Sequence, residues 1–110
     1  MTIPAAFDNA AVQAAILAGR LQWRLHVLQR MPERSIERSD VLAVLTAGET
    51  IEDYPDDTPY PSALVLGFVG SRPLHVVVAL DIGGPDAYVV TVYEPSSDKF
   101  EADWKTRRTP

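Results

Sequence analysis

The alternation of apolar and polar positions divides the chain into a helical first half and a β second half. The stretch "AAFDNAAVQAAILAG" is alanine-rich, with Asp8 placed to cap a helix and Gly19 placed to end it. "RLQWRLH" then alternates, with Leu21, Trp23 and Leu25 on one side and Gln22 and Arg24 on the other. Period two predicts a half-buried strand; a helix running on through residue 31 is the competing reading. "HVLQRMPER" predicts a short helix over 26–33, with Leu28 and Met31 toward a core. "SIERSDVLAVLTAGE" predicts another over 39–47, capped by Ser39 or Asp40, apolar at Val41, Leu42, Val44 and Leu45, and stopped at Gly48. "ETIEDY" predicts a short edge strand. In "PDDTPYPS", repeated proline excludes a central strand and predicts a loop.

The remainder predicts three strands, 63–69, 73–81 and 87–94, joined by the tight links "GSR" and "IGGP". Links this short make an antiparallel meander. The expected fold class is α+β, with N-terminal helices packed on an antiparallel sheet of three to five strands in a single domain, 1–110. Leu66, Phe68, Val76, Val78 and Val90 are expected against the helices. His75, Val77, Thr91 and Tyr93 are expected on the second face, the natural floor of a cleft. In the tail, Phe100 and Trp104 stand four apart, as in a docked turn of helix.

Composition narrows the function classes. A chain of 110 residues with no cysteine has neither a disulfide framework nor thiolate chemistry. The net charge of −5 argues against non-specific nucleic-acid affinity, although a local basic patch is compatible with it. The start of the chain lacks a secretory pattern, and no run approaches the roughly 20 apolar residues of a membrane span. A soluble cytoplasmic protein is expected. No P-loop, GxGxxG, HExxH or GxSxG occurs. Glu49, Glu52, Asp53, Asp56 and Asp57 cluster near the proline loop; spacing alone favours a solvated loop over a cation site. No metal or cofactor is expected.

Helical spacing sets His26, Arg30 and Arg34 in one polar stripe, which Pro32 interrupts unless the helix kinks or ends there. His75 lies mid-strand among valines, Arg72 at a hairpin and Tyr93 at a strand end. Histidine suits proton transfer near neutrality, arginine suits phosphate, and tyrosine donates or stacks. Each has a plainer reading: a hydrogen-bonded core histidine at 75, a backbone cap at 26, and surface pairing of Arg30 and Arg34 with Glu33 or Glu37.

The succession "RMPERSI", "IEDYPDD", "LVLGFVG", "RPLHVVVALD", "VVTVYEP" and "FEADWKTRR" resembles the bacterial family known as domain of unknown function 4258, from about residue 8 to 108. Its pattern maps onto His26, Arg30, Met31, Glu33, Arg34, Gly67, Arg72, His75, Tyr93, Glu94 and Pro95. The family is grouped by fold with RelE/ParE-like toxins of type II toxin–antitoxin systems, and some members lie beside genes for zinc-finger antitoxins. The resemblance implies a compact α+β fold and a toxin-like or ribonuclease-like role. On that expectation His26, His75 and Arg30 are the catalytic candidates of a metal-independent endoribonuclease, with Arg34, Arg72 and Tyr93 binding RNA. The rival expectation is a non-catalytic module that binds a protein partner, such as an antitoxin or a second copy, through a sheet edge or cleft.

Overall fold

The computed structural model describes residues 7–109. The elements are α1 (Asn9–Leu17), β1 (Leu21–Trp23), α2 (Leu25–Glu33), α3 (Arg38–Ala47), β2 (Glu49–Tyr54), β3 (Ser62–Val69), β4 (Arg72–Leu80) and β5 (Ala87–Tyr93). The strands form one sheet in the order β1-β5-β4-β3-β2. The meander β2 to β5 is antiparallel, as expected, and β1 adds itself to β5 in parallel. The sheet is therefore mixed at one edge.

The helices follow local chemistry. Asp8 accepts a hydrogen bond from the backbone N–H of Ala11 at 3.1 Å, and Gly19 turns the chain out of α1 at φ +70°. The cap of α3 falls at Glu37, earlier than expected, and the Asp40 carboxylate accepts from the Glu37 N–H at 2.9 Å. Such reciprocal caps stabilise a helix by about 1 kcal/mol. Pro32 is accommodated because α2 is only nine residues long and ends one residue later. Val27 and Met31 are its buried positions, with Leu28 half-buried. Leu25, expected to continue the strand's apolar side, opens α2 instead and is 71% exposed.

All three helices cover one face of the sheet. The core between them holds Val12, Val27, Met31, Val41 and Val44 against Val65, Leu74, Val76, Val78, Val89 and Val92. Gly67 shows how close the layers lie, since a Cβ there would meet the Val44 Cα at 2.9 Å.

The register corrects the expected division of faces. Val69 pairs with Arg72 across a two-residue turn, which sets Leu66 opposite His75 and Val65 opposite Val76. Cross-strand partners share a face, so Leu66 and Phe68 lie on the side away from Val76 and Val78. Leu66 is buried there, whereas Phe68 is 53% exposed. On β5, a bulge between the Val78–Val89 and Val77–Thr91 pairs shifts the alternation at Val90, which is half-buried. Tyr88, Thr91 and Tyr93 consequently share the second face although their numbers differ in parity.

The tail forms no helix. Phe100 bridges Arg107 in antiparallel fashion, and Trp104 takes a left-handed φ of +60°. Asp103 directs this turn: one carboxylate oxygen accepts from the N–H groups of Lys105 and Thr106 at 2.9 and 3.0 Å. Those bonds, with a third from the Thr106 hydroxyl, hold the Asp103 carboxyl down at about 2.

Candidate functional site

On the face opposite the helices, β4 carries His75 between Leu66 of β3 and Tyr93 of β5. Glu52 and Tyr54 of β2 reach the same face, opposite Leu64 and Ser62. Over them lies the chain after β5, residues 96–108, as a strap. Phe100 is buried and meets the His75 ring edge-on at 4.6 Å, while Tyr93 meets it at 5.4 Å. The Arg107 guanidinium grips Glu52 with two hydrogen bonds of 2.7 and 2.8 Å and sits 4.9 Å from the Phe100 ring centroid. Lys105 pairs with Glu49 at 2.9 Å. The Tyr54 hydroxyl also donates to Glu52.

His75 is wholly buried, and its Nε2 lies 2.7 Å from the Trp104 carbonyl oxygen. A carbonyl only accepts, so Nε2 carries the proton and the neutral ring leaves a lone pair on Nδ1. That Nδ1 is buried without a partner. Burial pushes the His75 pKa down, against the opposing pull of the Trp104 carbonyl and of Glu52. The Arg107 hydrogen bond holds Glu52 below the usual carboxylate range against the effect of burial. Burial raises Tyr93, and burial together with the bond to Glu52 raises Tyr54 to about 12. Perturbed groups thus concentrate under the strap. Such clustering marks functional sites and structural ion-pair networks alike.

The expected stripe is elsewhere. His26 and Arg30 are exposed on α2, in the helix layer, where Arg30 pairs with Glu33 at 3.2 Å. His75 faces the other side of the sheet, so His26 and Arg30 do not converge with it. The reason is that α2 packs through Val27 and Met31 on the Val76 face, and alternation along β4 sends His75 to the opposite side. Arg34 lies past the end of α2 and donates to the Val92 carbonyl at 2.7 Å. Arg72 donates to the carbonyls of Ser35 and Arg34 at 2.7 and 2.6 Å and faces Glu94 at 3.6 Å. Both arginines tie the end of α2 to the sheet. Of the six expected residues, His75 and Tyr93 come together under the strap, and Arg34 and Arg72 meet apart from them at the end of α2.

Sequence reasoning gave no site role to Tyr54 or Arg107, read Phe100 and Trp104 only as a docked helical turn, and met Glu52 only as a loop acid. A signal existed in "ETIEDY", where Glu52 and Tyr54 are two apart and so project to one face. Nothing in the tail's spacing reveals that it folds back on β4. The acidic cluster is dispersed over other partners: Glu49 on Lys105, Glu52 on Arg107, Asp53 on the Phe7 N–H and Asp57 on Ser62. Among the described residues no three potential ligands gather as a metal site.

A separate concavity of about 580 Å³ opens between α1 and the loops at the ends of β2, β3 and β4. Phe7, Ala14, Leu80 and Ile82 make much of its wall.

Helices on one face of a mixed five-stranded sheet, with a C-terminal strap over a buried histidine on the other, define a small α+β protein. The chain belongs to the family described as domain of unknown function (DUF4258), whose model matches residues 23–94. That span includes His26, His75 and Tyr93 and stops short of the strap, so it is narrower than the sequence resemblance. No curated protein and no solved structure matches the chain. Among the described residues no helix is long and apolar enough to cross a membrane.

Proposed function

We propose that this chain is a toxin-like protein of the RelE/ParE type that acts in the cytoplasm by binding a protein partner, and that its contact surface is the open groove beside α1. The observation that carries this reading is a contrast in access. His75 itself is sealed by the strap, whereas the groove is concave, largely apolar and open. Apolar concavities of this size are ordinary binding sites. An antitoxin is the first partner to test, and a second copy of the chain is the other.

A second reading keeps endoribonuclease chemistry on the strapped face. It is favoured by Glu52, His75, Tyr93 and Arg107 standing together with shifted pKa values. A single imidazole would then serve as acid or base, and only after the strap leaves His75.

Induced expression in a bacterial host separates the two. The binding reading expects growth arrest with intact RNA, relieved by Ala14→Trp, which fills the groove. Cleavage of RNA by the purified protein in a chelator, lost in a folded His75→Gln variant, overturns it in favour of the second.

A further inference from the structure

We propose that the groove beside α1 docks a partner segment presenting an apolar side chain flanked by lysine or arginine. This rests on the partner-binding reading above and adds the chemistry of the partner.

The groove has an apolar wall and a rim of one sign. Ala11 and Ala14 project from α1 and Ala18 from its C-cap, and small side chains there leave the space open. Ile82 stands at the edge and is 81% exposed, an apolar surface that a partner side chain would cover. Among the described residues the charged groups lining the groove are Asp8, Asp53 and Asp81, with no lysine or arginine.

The three carboxylates are held in place. Asp8 accepts from the Ala11 N–H at 3.1 Å, Asp53 from the Phe7 N–H at 3.2 Å and Asp81 from the Gly83 N–H at 3.1 Å. Each keeps accepting capacity for a further donor, since a carboxylate offers about four lone-pair sites. Fixed acceptors around an apolar floor favour an ammonium or guanidinium beside a buried aliphatic group, and they repel an acidic segment. Among the described residues no ion pair forms with Asp8, Asp53 or Asp81, and Arg20 is engaged with Asp86 at 2.6 Å.

The test is an amide NMR titration of the full chain with two peptides, acetyl-Lys-Leu-Leu-Lys-amide and acetyl-Glu-Leu-Leu-Glu-amide. The expected result is movement of the Ala11, Ala14, Ala18 and Ile82 amides with the lysine peptide. The glutamate peptide should bind at least about tenfold more weakly, a preference that added salt reduces. Ala14→Trp should weaken the lysine peptide by about tenfold or more while melting temperature is retained. Asp81→Asn should lower the charge preference without filling the groove. Equal binding of both peptides overturns the proposal, as do shifts confined to other surfaces. So do contacts in the free protein from the Ile3 methyls to Ala14 and Ile82, which would mean that the chain fills its own groove. Groove-dependent growth arrest without binding of the lysine peptide overturns this partner chemistry and leaves the binding reading standing.

Discussion

The imidazole Nε2 of His75, in the middle of the sheet, is 2.7 Å from the carbonyl oxygen of Trp104, in a tail with no regular structure. That bond joins two segments 29 residues apart and lies under a lid of Phe100 and Arg107. Its burial makes it one of the few polar contacts here whose loss leaves an acceptor stranded.

The first consequence is a contrast between the two histidines. His75→Ala should cost about 2–4 kcal/mol, from lost packing and an unpaired Trp104 carbonyl. His26→Ala, at an exposed position on α2, should stay within about 0.5 kcal/mol of the parent protein. Urea unfolding of the two variants measures both. Equal costs would contradict the placement of His75 beneath the strap.

The strap's outer clasp is weaker. Arg107 and Glu52 are 54% and 21% exposed, so solvent screens their bidentate pair. Arg107→Ala should lower stability by about 1 kcal/mol and release the strap locally before global unfolding. The check is hydrogen exchange at the Arg108 amide, which donates to the Lys99 carbonyl at 2.9 Å, compared with amides of β4. Faster exchange confined to the strap is expected.

Acid should loosen the same region in two stages. Burial depresses the His75 pKa below its ordinary value of 6.5. Above pH 6.5 both folded and unfolded states hold a neutral ring, and this contribution to stability is complete. Below it the unfolded ring takes up a proton first, so stability falls as pH drops from 6.5 to the lowered folded value. The groups facing His75 are Glu52, which favours the imidazolium, Arg107, which opposes it, and the Tyr93 ring. Glu52, held below 4.5 by Arg107, adds a further loss as pH falls under 4.5. Chemical denaturation from pH 8 to 3, with and without His75→Gln, should show the upper stage vanish in the variant.

Sheet register predicts the last pair of outcomes. Gly67→Ala places a methyl 2.9 Å from the Val44 Cα and should destabilise by about 1–3 kcal/mol as α3 is pushed from β3. Phe68→Ser, one residue further on, removes a half-exposed ring from the opposite face and should cost far less. Thermal unfolding of the two variants tests which side of β3 the helices cover.

Much of the fold was legible in the local pattern. The alternation in "RLQWRLH" marked β1, and Asp8 and Gly19 bounded the first helix, because caps and periodicity act over a few residues. The division of faces went astray at two points where pairing, not pattern, decides. A two-residue turn set Leu66 opposite His75, and a bulge at Val90 brought Tyr88 and Tyr93 to the same side.

The sequence by itself determined three helices, the antiparallel meander, the absence of thiol chemistry and the resemblance to the family the chain belongs to. These depend on residue type and short-range spacing, which survive without knowledge of distant contacts. Only the tertiary structure decided that His26 and His75 stand on opposite sides of the sheet and that Arg34 and Arg72 are tethers. It alone folded Phe100, Trp104 and Arg107 over His75 and Glu52. Those relations join residues 25 to 58 positions apart, where a one-residue change of register exchanges the faces of a strand.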